Sequence, residues 1–296
     1  MAMIEHDASA YRFPNAATPP GSSAYYSIRF GAIERRPELA LLFAWRSEMR
    51  RIARDTSDPG VARLKLDWWR GELEASHRGE GRHPLAQALG SPMAMYRLPL
   101  EPFLRQIDTL EQDLLHTRPA DHIQLVEYCD AGGGSFGELL ARTWGTPDDQ
   151  SLRHARCLGS FVRLVEIVRE LGLELRRQRC ALPDDLLARH GLSRETLVAA
   201  PQPAFLAPAL EELSGQAQDL LPPRGTATAA PARILAELHR VTLEEIRRAG
   251  FPVLGNRISL TPVRKLWIAW RASRQGSVSR PSSQARRAGS SPWYGR

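Results

Sequence analysis

Apolar residues recur at helical spacing along most of this 296-residue chain, and this pattern limits its fold more than any other feature. After Pro37, for example, Leu41 and Trp45 lie one turn apart and begin a long apolar stripe. Asp58 followed by Pro59 is typical of a helix N-cap with proline at the first helical position. The sequence has no sustained two-residue alternation or hairpin dipeptide that would indicate a β-sheet. It therefore predicts an all-α fold of about ten helices around one core.

The two ends of the chain differ in composition from the part between them. Residues 1–22 are polar and rich in Ala, Pro and Ser, and residues 274–296 are rich in Ser, Arg and Gly. We therefore expect a flexible N-terminal segment at 1–22, one folded domain at 23–273 and a disordered tail at 274–296. The tail holds five arginines and no acidic residue, and without them the net charge falls from +7 to +2. The folded part thus gives no indication of a nucleic-acid-binding domain.

The lengths of the apolar runs and the spacing of the cysteines indicate the cellular compartment of the protein. The longest strictly apolar run, Leu39–Trp45, has seven residues, whereas a transmembrane helix needs about 20. The N-terminus lacks the basic and apolar regions of a secretory signal. Cys129, Cys157 and Cys180 are widely spaced and form no CxxC pair, which is typical of reduced thiols. We therefore expect a cytoplasmic protein without a transmembrane segment, whose only membrane contact would be peripheral, at the inner face.

Three glutamates, Glu166, Glu170 and Glu174, are spaced four residues apart and so share one face of a predicted helix. Carboxylates brought together in this way are typical ligands of Mg²⁺. The alternative is a salt-bridged polar stripe. Its partners would be three arginines of the same helix: Arg163, Arg169 and Arg177. Spacing alone leaves both interpretations open.

Arg50, Arg51 and Arg54 form a basic cluster on the first long helix. Arginine binds phosphate oxygens through paired N–H groups, but it cannot bind a divalent cation. A diphosphate site that also uses Arg163 and an exposed charged face are the two alternatives. Glu48 shares a face of the same helix with apolar residues, so we expect it to point inward toward an arginine of a neighbouring helix.

A glycine-rich run, Gly132–Gly134, comes just before another predicted helix that contains Gly137. Such turns bind phosphate in some proteins. Here, however, no strand precedes the run and no Lys-Ser/Thr follows it at Walker spacing. The glycines therefore favour a close contact between helices or a kink.

Several motifs along residues 23–273 resemble, in order, those of the squalene/phytoene synthase family. YYSIRF, which begins at Tyr25, is similar to the family's YY-S-RF element; LVEYCDAGGGSFGELL contains Tyr128, and RCALP begins at Arg179. Further matches are RRPELALLFAWRSEMRRIARD, LDWWRGEL, RHPLAQAL, LEPFLRQIDTLEQDL and ISLTPVRKLWIAWRAS. The resemblance implies that Tyr25, Tyr128 and Arg179 are cavity or structural residues.

The resemblance also implies a fold and a reaction. The fold is the isoprenoid synthase fold, a single helical bundle around a deep central cavity. Active members of the family join two prenyl diphosphates head to head. Two aspartate-rich helices face each other across the cavity and bind the diphosphates through Mg²⁺, which neutralises the leaving group.

This sequence departs from the family at both aspartate-rich helices. The acidic positions of the first motif fall on Arg50, Arg51 and Arg54, so the charge is reversed at each of them. The two aspartates of the second motif fall on Glu170 and Glu174. Their extra methylene moves the carboxylate by about 1.5 Å, whereas catalytic geometry tolerates about 0.5 Å. The altered motifs therefore predict a weakened or absent metal site.

The stretch from Ala44 to Leu73 is more similar to a divergent branch of the family. That branch includes assembly factors of mitochondrial respiratory complex I and is thought to have lost prenyl transfer. Glu48 and Ile52 match its pattern, although Arg54-Asp55 comes one position later than the basic-acidic pair of the branch.

Two functions follow as hypotheses. The first is a squalene/phytoene synthase-like protein without catalytic activity, which binds a prenyl or lipid chain or serves as an assembly factor for a protein partner. The alternative is an active prenyltransferase of isoprenoid biosynthesis that condenses two prenyl diphosphates. Arginines would then contact the diphosphate, and Mg²⁺, a cofactor only in this alternative, would be held by Glu166, Glu170 and Glu174.

The two hypotheses predict different arrangements of the same side chains. An enzyme should place Glu170 and Glu174 in the cavity opposite Arg50 and Arg54. A scaffold should close the same mouth with Arg–Glu ion pairs. Glu170 pointing into bulk solvent would contradict both a metal site and a charge clamp.

Overall fold

The computed structural model describes residues 8–145, 148–199, 201, 203–223, 225–255 and 258–275. These residues form α-helices joined by turns and contain no β-strand, which confirms the predicted all-α fold. In chain order the helices are α1 Ser23–Arg29, α2 Arg36–Asp55, α3 Pro59–His77, α4 Pro84–Met95, α5 Glu101–Leu114, α6 His122–Cys129, α7 Ser135–Trp144, α8 Asp149–Arg176, α9 Asp184–Arg189, α10 Arg194–Ala199, α11 Pro203–Asp219, α12 Ala230–Arg248 and α13 Pro262–Arg274.

Side-chain caps determine where several helices begin. The Asp58 carboxylate accepts a hydrogen bond from the Val61 backbone N–H at 3.0 Å, and Pro59 occupies the first turn of α3, as predicted. The Asp148 carboxylate caps α8 in the same way through the Ser151 N–H, at 2.8 Å. These caps satisfy N–H groups that have no partner within the helix.

Helix α8 lies in the middle of the fold. Its 28 residues pack against α6, α7, α11 and α12, and side chains on several of its sides, such as Val162 and Leu164, are buried. A helix that is apolar around most of its circumference must be surrounded by others. Helix α2 packs instead against α3, α4, α5 and α7, and it lies across a cleft from α8. The two helices that carry the charged clusters thus face each other.

Glycines allow α8 to approach its neighbours closely. A Cβ atom on Gly159 would overlap the carbonyl oxygen of Gly133, which lies in a π-helical turn at Asp130–Gly134. A Cβ atom on Gly137 of α7 would overlap the carbonyl oxygen of Ala155. Of the two expected roles of the glycine-rich run, a helix contact or a kink, the close contact with α8 is observed.

The N-terminal segment differs from the expectation of a flexible region at 1–22. Tyr11, Phe13 and Ala17 pack against the main core, and the Asn15 side chain donates a hydrogen bond to the Ala40 carbonyl at 3.2 Å. Apolar side chains in this otherwise polar segment thus anchor residues 8–22 against α2. Residues 1–7 lie outside the described residues, as does the predicted tail after Gln275.

A second, smaller core joins the two ends of the domain. It consists of buried side chains from α1, α12 and α13, including Tyr26, Ile234, Leu238 and Ile268. Among the described residues, no helix is both long and apolar enough to cross a bilayer.

Candidate functional site

A cleft of about 90 Å³ lies between α2 and α8. Helix α5, helix α6 and the segment after α8 complete its wall. Its charged lining residues are Arg50, Arg54, Arg118, Arg163, Arg179, Asp113, Glu166, Glu170 and Glu174. Five arginines thus face four carboxylates, and the cleft is almost neutral rather than strongly basic.

Glu166 is the centre of the charged cluster. Its carboxylate is buried and forms an ion pair with Arg50 across the cleft. Arg46 and Arg163 lie 3.6 Å and 3.8 Å from the same oxygen. Burial opposes ionisation of Glu166, but the three arginines outweigh it and lower the pKa of this carboxyl well below its usual value. Glu166 is therefore a carboxylate whose charge is already neutralised.

Glu170 forms a second connection between the two helices. Its carboxylate lies 3.0 Å from Arg169 and 3.4 Å from Arg54 of α2. Burial and the nearby Glu166 oppose its ionisation, yet Arg169 and Arg50 hold the pKa of Glu170 below its usual value. Glu170 thus faces the cleft rather than bulk solvent.

Tyr128 and Asp113 connect the cluster to α5 and α6. The Tyr128 hydroxyl donates a hydrogen bond to the Asp113 carboxylate at 2.7 Å and accepts one from Arg163. Burial raises the pKa of Tyr128 above its usual value, so the phenol stays protonated and can act as a donor. Arg163 is consequently held between Tyr128 and Glu166 at the edge of the cleft.

Arg46 belongs to this cluster although sequence reasoning did not identify it. It lies one turn before Arg50 on α2, and its guanidinium packs over the Phe136 ring with 4.4 Å to the centroid. Burial, with repulsion from Arg50, lowers the pKa of Arg46 to about 9 despite the attraction of Glu166. The signal available in the sequence was an arginine at i−4 from Arg50.

Two predicted site residues on α2 point away from the cleft. Arg51 is 62% exposed and forms an ion pair with Glu48 three residues earlier, at 2.7 Å. The prediction that Glu48 points inward toward another helix is therefore wrong. Arg51 lies within reach of Glu48 on the outer surface, so the pair forms locally.

The remaining predicted residues are divided between the cleft and the core. Glu174 lines the cleft and forms an ion pair with Arg177 at 3.5 Å. Arg179 also lines it and donates a hydrogen bond to the Ala53 carbonyl at 3.4 Å, which ties the end of α8 to α2. Tyr25 stacks instead on Phe13, with 5.2 Å between ring centroids, and has a structural position.

The residues present do not fit a Mg²⁺ site. Within the part of the chain that the structure describes, no group of three or more His, Cys, Asp or Glu side chains could hold a metal ion. The oxygens of Glu166 and Glu170 are occupied by arginines, and a cation there would meet guanidinium groups at the positions of the expected aspartates.

Comparisons with known proteins agree with this architecture. The family model described as squalene/phytoene synthase matches residues 17–264. The phytoene synthase of Thermus thermophilus is 30% identical over 199 residues, which cover 65% of this chain and 68% of that protein. The phytoene synthase of Mycobacterium tuberculosis is 26% identical over 271 residues, which cover 88% and 89% of the two chains.

Solved structures show the same fold. A squalene synthase from Alicyclobacillus acidocaldarius superimposes with a TM-score of 0.67 and 21% identity over 79% of this chain and 92% of that one. A dehydrosqualene synthase in complex with a ligand gives a TM-score of 0.70 and 20% identity over 84% and 90%. With the family model covering most of its length, the chain belongs to the squalene/phytoene synthase family.

Proposed function

We propose that this chain is a non-catalytic member of the family and serves as an assembly factor for a protein partner. The proposal rests on two ion pairs that cross the cleft, Arg50–Glu166 and Arg54–Glu170. In the family, aspartates on both helices hold Mg²⁺ against a leaving diphosphate. Here cations and carboxylates of the protein neutralise each other, and no charge is left for the metal.

The energetics favour a closed cleft. Opening it for a diphosphate would break the buried Arg50–Glu166 ion pair and leave Glu166 with only Arg46 and Arg163, at 3.6 Å and 3.8 Å. Losing a partner of a buried ion pair is costly when no new partner replaces it. The diphosphate would also compete with Glu166 and Asp113 for Arg163.

The volume of the cleft argues against the binding of a prenyl chain between α2 and α8. Pockets that hold small molecules have volumes of about 300–1,000 Å³. The cleft of about 90 Å³ is much smaller, and the side chains behind it, such as Trp45 and Phe136, fill the interior.

One observation favours the alternative, an active prenyltransferase with an altered site. Glu170 and Glu174 line the cleft together with Arg50 and Arg54, which is the arrangement expected of an enzyme. Similarity to proteins named phytoene synthases also supports an active prenyltransferase. Mg²⁺ and prenyl diphosphates would be its cofactor and substrates.

A turnover assay distinguishes the two. We expect no pyrophosphate or hydrocarbon from the pure protein with farnesyl or geranylgeranyl diphosphate, Mg²⁺ and NADPH, while the Thermus thermophilus phytoene synthase, assayed in parallel, is the positive control. Circular dichroism would establish that the chain is folded. Turnover that is lost in Glu170→Gln but kept in Glu48→Gln, a matched glutamate outside the cleft, would overturn the proposal.

A further inference from the structure

The last helix carries an apolar face that points outward. Val263, Leu266, Trp267 and Trp270 of α13 are 76%, 45%, 55% and 41% exposed. Their spacing of three and four residues places them in one stripe along the helix. The opposite face, with Ile268, Ala269 and Ala272, is buried against the rest of the protein. Exposed large apolar side chains concentrated in this way indicate an interaction surface.

Arginines accompany the two indoles. The Arg274 guanidinium lies over the Trp270 ring, 4.0 Å from its centroid, and that of Arg271 lies 5.6 Å from the centroid of Trp267. No carboxylate of the described residues forms an ion pair with either arginine. From Ile258 to the C-terminus the sequence contains eight Lys or Arg residues and no Asp or Glu. The two indoles are thus accompanied by positive charge, whereas Arg264 at the start of α13 pairs with Glu245 of α12 at 2.7 Å.

A second exposed apolar stripe, on α3, differs from the α13 face in the charges that surround it. Val61, Leu64 and Trp68 of α3 are 43%, 72% and 50% exposed. Charges of both signs flank this stripe: Asp67 lies next to Trp68, and Arg63 forms an ion pair with Glu111 at 3.0 Å. The α13 face is the better match in charge to a negative surface, because Arg271 and Arg274 have no ion-pair carboxylate among the described residues.

We propose that the α13 face docks on an anionic membrane surface. Indoles favour the boundary between headgroups and acyl chains, because the ring is apolar while its N–H can bond to water or a headgroup. Arginines held beside the indoles lie at the level of the lipid phosphates and attract them. The contact is peripheral and lies outside the cleft, which α13 does not line.

Co-sedimentation with lipid vesicles tests this inference. We expect the full chain to bind phosphatidylcholine vesicles that contain phosphatidylglycerol, to bind pure phosphatidylcholine much more weakly, and to lose affinity as salt is raised. Trp267→Ala/Trp270→Ala should lower binding by at least about tenfold, and Arg271→Gln/Arg274→Gln by about fivefold for each arginine removed.

The α3 stripe provides the matched control. Leu64→Ala/Trp68→Ala removes a similar exposed apolar area and should leave vesicle binding unchanged, and thermal melts would establish that each variant is folded. Binding that is insensitive to the α13 substitutions, or no binding to anionic vesicles, overturns the proposal. A dimer in solution that Trp267→Ala/Trp270→Ala dissociates, without vesicle binding, would assign the face to a second copy instead. The assay contains no prenyl diphosphate, so its result is independent of the proposed function.

Discussion

At the scale of single residues, the neighbours of Glu166 decide whether its carboxylate binds a metal or forms ion pairs. A glutamate at this position of α8 could ligate a metal, but three arginines surround its carboxylate. Of the two interpretations that spacing left open, the salt-bridged stripe corresponds to the pairs that Glu166, Glu170 and Glu174 form with Arg163, Arg169 and Arg177. What sequence reasoning missed is the contribution of Arg46 and Asp113 from other helices.

The ion pairs of Glu166 predict a large effect of its neutralisation. We expect Glu166→Gln to lower the free energy of unfolding by about 3 kcal/mol, because it leaves buried arginines close together without a counter-charge. Glu174→Gln is the matched control: it removes a more exposed pair and should cost less than about 1 kcal/mol. Urea denaturation measures both. Equal losses in the free energy of unfolding would show that the buried cluster contributes no more to stability than the exposed pair.

At the scale of elements, the crossing of α8 with the π-helical turn and α7 depends on glycine. Gly133 and Gly159 each lie where a Cβ atom would overlap the backbone of the other segment. The sequence indicated this contact through its glycine-rich run, although the partner glycine on α8 could be identified only in the structure.

This crossing predicts opposite effects for two identical substitutions. Gly159→Ala should destabilise the protein by at least about 2 kcal/mol, because the helices must move apart. Gly215→Ala, in α11, has no atom near the added methyl and should stabilise by about 0.5–1 kcal/mol through the lower backbone entropy of alanine. Thermal denaturation of both variants checks the difference, and a stable Gly159→Ala would contradict the close approach.

At the scale of the whole molecule, the buried charges make stability dependent on pH. His239 of α12 is buried, and its ring nitrogen forms a 2.8 Å hydrogen bond with the Leu235 carbonyl. Burial, with repulsion from Arg169, lowers the pKa of His239 to about 4. The unfolded chain, in which the pKa of histidine is about 6.5, therefore binds more protons than the folded chain between these values.

The free energy of unfolding should consequently fall as pH is lowered from about 6.5 to 4, by up to about 1.4 kcal/mol per pH unit. The pKa values of Glu166 and Glu170 are also lowered, so their contribution should be lost further down, below about pH 4.3. Chemical denaturation at a series of pH values measures the profile.

The control for this profile is a pair of histidine variants. In His239→Gln, the free energy of unfolding should no longer depend on pH above about pH 4.3, but it should still fall below that pH. His77→Gln, at an exposed position of α3, should keep the wild-type profile. A wild-type slope in His239→Gln would show that another group titrates in this window.

Residue periodicity by itself determined the helices, because apolar spacing and N-caps such as Asp58 act locally, and the ordered motifs along the chain indicated the family. The motif positions made Arg50, Arg54 and Glu170 candidate residues, and all three line the cleft. Tertiary structure alone decided their pairing: Arg51 turns outward to Glu48, whereas Arg50 meets Glu166 across the cleft. Charges on separate helices become partners only through packing, and burial then strengthens their attraction enough to favour a closed cleft over a metal site.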